Sequence, residues 1–200
     1  MKTPCTGVIL AGGQNRRFSG KKKALLRLGG RLILDRIYSV FMELFEEIII
    51  VTNDPLEYFD WDATIVTDIF PIRSSMTGIH AGLFYTKTPF AFVVACDIPF
   101  LKQALIETIL EAMDSHVDVV VPETSNGLEP LCALYAKECL NQMEKQIAGE
   151  VFKIDMFFEK VRVKKIPETS LRAKDPDLVS FFNINTPDDL RRAQEIEAHR

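Results

Sequence analysis

Two glycines followed by a dense run of cations stand near the start of the chain: Gly12-Gly13-Gln14-Asn15-Arg16-Arg17-Phe18-Ser19-Gly20-Lys21-Lys22-Lys23. Glycines let a backbone turn tightly and bring its N–H groups up to an anion. Arg16, Arg17, Lys21, Lys22 and Lys23 add five positive charges, so the chemistry on offer is binding of a triphosphate. An ordinary turn beside a solvated basic face is the alternative. The Walker pattern is absent, because Gly13 and Gly20 are wrongly spaced and Lys21 is followed by Lys22; G-x-G-x-x-G is absent too.

Asp97 is the second candidate. It follows the apolar run 90–95 and Cys96, where a central strand would end on the same edge as the glycine loop. Mg²⁺ uses one or two carboxylates with phosphate oxygens and water. Equally, an Asp there caps a helix beginning after Pro99. Asp68 and Asn53 end neighbouring strands, as nucleotide contacts or as turn formers. His80, on an apolar helix face, reads as a core or rim histidine. Cys96 reads as a buried, inert thiol. No Ser-His-Asp or Cys-His arrangement can be assembled, and Ser74 and Ser75 lack a nucleophile-elbow context. A phosphate loop, a metal carboxylate and no nucleophile point to transfer at a phosphate, which needs positioning and charge neutralisation.

Elements with a matching order must hold these residues. Apolar runs predict strands over 7–11, 47–52, 63–66, 90–95 and 117–121. Periodicity predicts helices over 31–45, 79–86 and 102–113, with 70–78 as an irregular connection. Beyond Pro122 come a turn and strand over 127–135, a helix over 137–148, an edge strand over 161–166 and a strand-like segment over 180–185. Thr186 as N-cap and Pro187 at the first helical position start a final helix. This is an α/β pattern: a three-layer sandwich with a mostly parallel sheet and a Rossmann-like nucleotide-binding half. No linker interrupts it, so residues 1–200 form a single domain, with a nucleotide half over about 1–122 and an acceptor half over about 123–200.

The 200 residues carry a net charge of −4, 47% apolar and 26% charged residues. A mildly acidic chain makes the basic loop local and argues against nucleic-acid partners. No stretch approaches the roughly 20 apolar residues of a membrane span. The four cysteines form no C-x-x-C, which argues against zinc. Unpaired cysteines and an N-terminus without an apolar leader core predict a cytoplasmic protein.

At this point the motifs carry a resemblance. Leu10-Ala11-Gly12-Gly13 with Arg17 and Lys23 resembles the L-A-G-G-x-x-x-R-x-G-x-x-K signature of the molybdenum cofactor guanylyltransferases, members of the sugar-nucleotidyltransferase-like superfamily. Cys96-Asp97-Ile98-Pro99-Phe100 resembles their metal motif. Gly78-Ile79 and Gly82-Leu83 resemble their mid-chain glycine helix, and Glu129-Pro130-Leu131 with Ala133-Leu134-Tyr135 their P-L-x-A-L-Y segment. Asn183-Ile184-Asn185-Thr186-Pro187-Asp188-Asp189-Leu190 resembles their N-x-N-T-P-x-D-L ending. The likeness implies transfer of GMP from GTP to molybdopterin or molybdenum cofactor, releasing pyrophosphate. Lys23, Arg17 and Asp97 would be catalytic, with Asp97 holding Mg²⁺. Leu10, Ala11, Gly12, Gly13, Asn53, Asp68 and Gly78 would join Lys23 and Asp97 in binding the nucleotide. Glu129, Asn183 and Asn185 would face the acceptor, and molybdoenzymes or their chaperones would receive the product. Ser19 and Lys22 depart from the family's usual glycine and acid, and Ser74-Ser75-Met76 from its G-P-L. The rival readings are a nucleotidyltransferase using CTP or another triphosphate on a related acceptor, and a non-catalytic nucleotide- or cofactor-binding protein.

Overall fold

A computed structural model describes residues 4–13, 18 and 22–199. The first half runs β1 (Thr6–Leu10), β2 (Arg27–Leu28), β3 (Arg31–Leu32), α1 (Ile33–Leu44), β4 (Ile48–Val51), β5 (Thr64–Val66), α2 (Ser75–Tyr85), β6 (Phe90–Ala95) and α3 (Gln103–Leu110). The second half runs β7 (Val119–Thr124), β8 (Gly127–Leu128), β9 (Cys132–Ala136), α4 (Cys139–Ala148), α5 (Ile154–Phe158), β10 (Val163–Pro167), α6 (Glu168–Arg172) and α7 (Pro187–Ala198).

Continuously apolar strands need cover on both faces, and the sheet supplies it. Its order is β10-β7-β9-β6-β1-β4-β5, with β8 hairpinned onto β7. The run β6-β1-β4-β5 is parallel, so Leu10, Val51, Val66 and Ala95 end on one edge. Within this sheet, among the described strands, only β8 and β9 run against the others; β2 and β3 form a separate antiparallel pair. Ile9, Ile50, Phe92 and Leu134 point to the layer of α1, α3, α6 and α7. Val8, Ile49, Val93 and Tyr135 point to the layer of α2, α4 and α5. The three-layer, mostly parallel sandwich expected from the sequence is the observed architecture. The 122/123 boundary falls inside β7, and β9 from the second half lies between β6 and β7.

The helix α2 lies unusually close to the sheet. A Cβ on Gly82 would stand 2.5 Å from Val8 Cγ1. Only glycine allows that approach, which is why residues 76–83 are buried throughout.

Several boundaries differ from the sequence reading for local reasons. The helix predicted over 79–86 starts four residues earlier. Ser74 caps it by accepting from the Thr77 N–H, and Thr77 returns the bond. A threonine at that position escapes a pattern written for Glu or Gln. Arg31 and Leu32, read as helical, belong to a hairpin closed by Gly29 and Gly30 at φ +56° and +82°. Residues 180–185 form no strand. A 3-10 turn covers Val179–Phe181, and the Asp175 carboxylate takes the Ser180 N–H at 2.8 Å. The short helices α5 and α6 were not anticipated, since five residues give too little periodicity.

Candidate active site

Parallel strands that end together leave a crevice beyond their carboxyl ends, the usual ligand position in α/β sheets. A cavity of about 300 Å³ opens there. Leu10, Gly12 and Gly13 line it after β1, Asp68 after β5, Gly78 from α2, Asp97 after β6, and Lys23 from the basic loop. Seven of the nucleotide-site residues expected from the sequence therefore share one space. Ala11 is buried just behind it, its N–H bonded to Val51 O at 2.7 Å. Asn53 donates to Asp68 Oδ2 at 2.9 Å and so orients that carboxylate towards the cavity. Arg16, Arg17 and Lys21 lie outside the described residues.

The chemical centre is a three-way contact. Lys23 Nζ donates to Asp97 Oδ2 at 2.8 Å and to Asn185 Oδ1 at 2.7 Å. The Lys23 and Asp97 side chains are 19% and 17% exposed, so solvent screens their attraction only partly. Asp97 Oδ1 is buried and has no hydrogen-bond partner among the described residues. A carboxylate oxygen left bare in that way fits a hard cation. Among the described residues no three of His, Cys, Asp and Glu converge on a point, so the other ligands there would be phosphate oxygens and water. Asp97 is not a helix cap, since α3 begins at Gln103 and Lys102 holds its N-cap position.

The cavity also has walls that sequence reasoning missed: Arg73, Ser74, Ser75, Val51, Ala95 and Leu131. Val51 and Ala95 enter as the ends of β4 and β6, Arg73, Ser74 and Ser75 at the start of α2, and Leu131 from the return of the chain before β9; the motifs around Ser74 and Leu131 did not single them out as cavity walls. Cys96, expected to be buried, is partly exposed on the cavity wall; loss of solvent around its thiol, followed by the Asp97 charge, pushes it up to about 12. It is a protonated, unreactive thiol at neutral pH. Lys22, the departure from the family pattern, pairs with Glu57 at 2.7 Å and Asp54 at 3.0 Å. Burial opposes its charge, but those two carboxylates outweigh it and raise its pKa. It anchors the loop and leaves the cavity to Lys23. His80 is a core histidine, buried with Nε2 3.2 Å from Glu144 Oε1 and its ring against Phe70.

A second, open cavity of about 650 Å³ adjoins the later segments. Glu129 and Asn183 line it, with Arg172, Phe181, Phe182 and Arg192. Burial raises the Glu129 carboxyl above its ordinary value. The segment before β9 borders both spaces, with Glu129 on the second cavity and Leu131 on the first; in the later segment Asn183 lines the second cavity while Asn185 holds Lys23. Asn183 and Asn185, grouped in the sequence reading, thus meet different partners.

A sequence model described as the MobA-like NTP transferase domain matches residues 7–161. A molybdenum cofactor guanylyltransferase from Desulfosudis oleivorans is 48% identical over 189 residues, covering 94% of either chain. The solved structure of molybdopterin-guanine dinucleotide biosynthesis protein A from Archaeoglobus fulgidus superposes with a TM-score of 0.86 at 31% identity, covering 98% of this chain and 100% of that one. The 4-diphosphocytidyl-2C-methyl-D-erythritol synthase of Anaerococcus prevotii shares the fold, with a TM-score of 0.70, 17% identity and coverage of 97% and 96%. That neighbour bears a cytidylyl name, so fold alone does not select the base.

Proposed function

The chain belongs to the MobA-like NTP transferase family, and from that premise we propose that it transfers GMP from GTP to the terminal phosphate of molybdopterin or its molybdenum form. An oxygen of the acceptor phosphate bonds to the α-phosphorus of GTP. The bond from that phosphorus to the α,β-bridging oxygen breaks, and pyrophosphate leaves. The product is the guanine dinucleotide form of the cofactor.

The observation that carries this reading is the pairing of Lys23 with Asp97 Oδ2 at the cavity wall, while Asp97 Oδ1 is buried with no hydrogen-bond partner among the described residues. In the proposed roles, Leu10, Ala11, Gly12 and Gly13 cradle the nucleotide, and Gly78 keeps the floor beside Leu10 open. Asp68, turned by Asn53, offers acceptors to the nucleoside. Lys23, with Arg17, neutralises the β- and γ-phosphates as they depart. Family members generally work with a divalent metal; here it would be Mg²⁺ at Asp97, supplying charge neutralisation and Lewis acidity at the phosphate oxygens when bound. Glu129 and Asn183 take the acceptor in the second cavity. The nucleotide and acceptor halves are thus a division of labour across one sheet. Molybdoenzymes or their chaperones would receive the product. Among the described residues no helix is long and apolar enough to cross a membrane; a cytoplasmic location is part of the proposal.

Competition between nucleotides in the presence of Mg²⁺ tests the choice of base. GTP should bind more tightly than CTP; tighter CTP binding would move the protein to the cytidylyl class. Tight GTP binding without pyrophosphate release in the presence of molybdopterin would make it a binding protein instead.

A further inference from the structure

Lysine carries its charge on a flexible four-carbon stem, and one acceptor does not fix its direction. Among the described residues Lys23 meets two acceptors of different character: the charged Asp97 Oδ2 and the neutral carbonyl of Asn185. Asn185 is itself held on both sides. The preceding Ile184 N–H donates to Asp97 O at 2.9 Å. The Asn185 and Thr186 N–H groups both donate to Asp189 Oδ2, at 3.0 and 2.8 Å. That carboxylate belongs to the capping box of α7, where Thr186 accepts the Asp189 N–H in return. A rigid path therefore runs from the start of α7 to the ammonium of Lys23.

We propose that Asn185 is a positioning residue for Lys23, holding its ammonium at the phosphate side of the cavity without neutralising it. A second carboxylate at this place would trap the ammonium between two anions and weaken its hold on a triphosphate. An apolar residue would let it swing. An amide oxygen supplies direction and no charge, and a Lys–NH₃⁺ group can face only the oxygen of that amide. Asn183 lacks this role, since it lines the second cavity and its Nδ2 donates to Phe181 O at 2.9 Å. The ligand in this inference rests on the proposed guanylyl transfer; the contact itself does not.

Two measurements separate those dependencies. The first needs no ligand: the ¹H–¹⁵N signal of the Lys23 ammonium in the full chain. It should persist in the parent and in Asn185→Asp, which keeps an acceptor, and broaden away in Asn185→Ala while the backbone amide spectrum is retained. A Lys23 signal unchanged by Asn185→Ala overturns the inference. The second is a binding cycle with GTP and GMP in Mg²⁺ over the parent, Asn185→Ala, Lys23→Ala and the double variant. Asn185→Ala should weaken GTP binding about tenfold in the parent, as expected for a hydrogen bond to a charged group, and less than about twofold in the Lys23→Ala background. GMP, which lacks the phosphates Lys23 meets, should shift less than about twofold. Asn185→Asp should keep the ammonium signal and yet lose GTP affinity. Equal losses in both backgrounds, or equal losses for GTP and GMP, contradict the role. Failure of the parent to bind GTP would strike the proposed function and leave the spectroscopic arm to decide the positioning.

Discussion

An ammonium and a carboxylate 2.8 Å apart satisfy each other only until a ligand with more charge arrives. In the proposed reaction a nucleoside triphosphate with its cation would give Lys23 and Asp97 each a stronger partner. Asp97→Ala should therefore lower metal-dependent pyrophosphate release by about 10³-fold or more, with far-ultraviolet circular dichroism unchanged. Unchanged turnover would remove the metal role from Asp97. Lys23→Ala should weaken GTP binding well beyond GMP binding, and equal losses would separate Lys23 from the leaving phosphates. Cys96 stands in the same cavity and offers no competing chemistry, because its thiol is held at about 12. Alkylation at pH 7.5 should leave Cys96 unmodified in the folded protein. Rapid labelling would mean an accessible thiolate.

Elements bring these residues together, and two of them do so under tight constraint. Gly82 lets α2 lie on Val8, so Gly82→Ala should cost about 1–3 kcal/mol by overpacking, measured by urea denaturation. The segment carrying Asn183 and Asn185 is anchored by buried Asp175, which meets Lys102 Nζ at 2.7 Å and the Ser180 N–H. Burial pushes the Asp175 carboxyl up, but Lys102 and Ser180 outweigh it and hold it below its ordinary value. A carboxyl depressed in the folded state stabilises fully above about pH 4 and loses that contribution as pH falls through its folded value. Asp175→Asn should cost about 3 kcal/mol at pH 7 and flatten the acid limb of the stability profile. An unaltered acid limb would show that Asp175 does not carry it. The strand ends were legible in the sequence because Ile48-Ile49-Ile50-Val51 and its counterparts are apolar on both faces. The start of α2 was not, because its cap is a Ser–Thr pair. Residues 180–185 read as strand from Phe181, Phe182 and Ile184. The Asp175 carboxylate, five residues upstream and held by Lys102, takes the Ser180 N–H and turns the chain there, while Ile184 is tied to Asp97; those two long-range contacts leave no trace in the local pattern.

Across the whole molecule, one sheet carries both halves, since β9 pairs with β6 on one side and β7 on the other. A chain ending at residue 122 would lose β9 and α7, exposing the β6 edge and leaving Lys23 without Asn185. The full chain should unfold in a single cooperative urea transition, and the shortened one should not fold. Two separate transitions would show halves that are stable alone. At this scale the sequence conveyed the sandwich, the glycine loop, Lys23, Asp68 and Asp97, because each sits at a strand end or in a motif. It did not convey that Arg73 and Leu131 line the first cavity, nor that Asn183 lines the second while Asn185 holds Lys23. The most direct test of the account is turnover with GTP, Mg²⁺ and molybdopterin, reading pyrophosphate and the dinucleotide product together. The account predicts equal amounts of both, from GTP in preference to CTP. Pyrophosphate without the dinucleotide, or a dinucleotide formed faster from CTP, would contradict it.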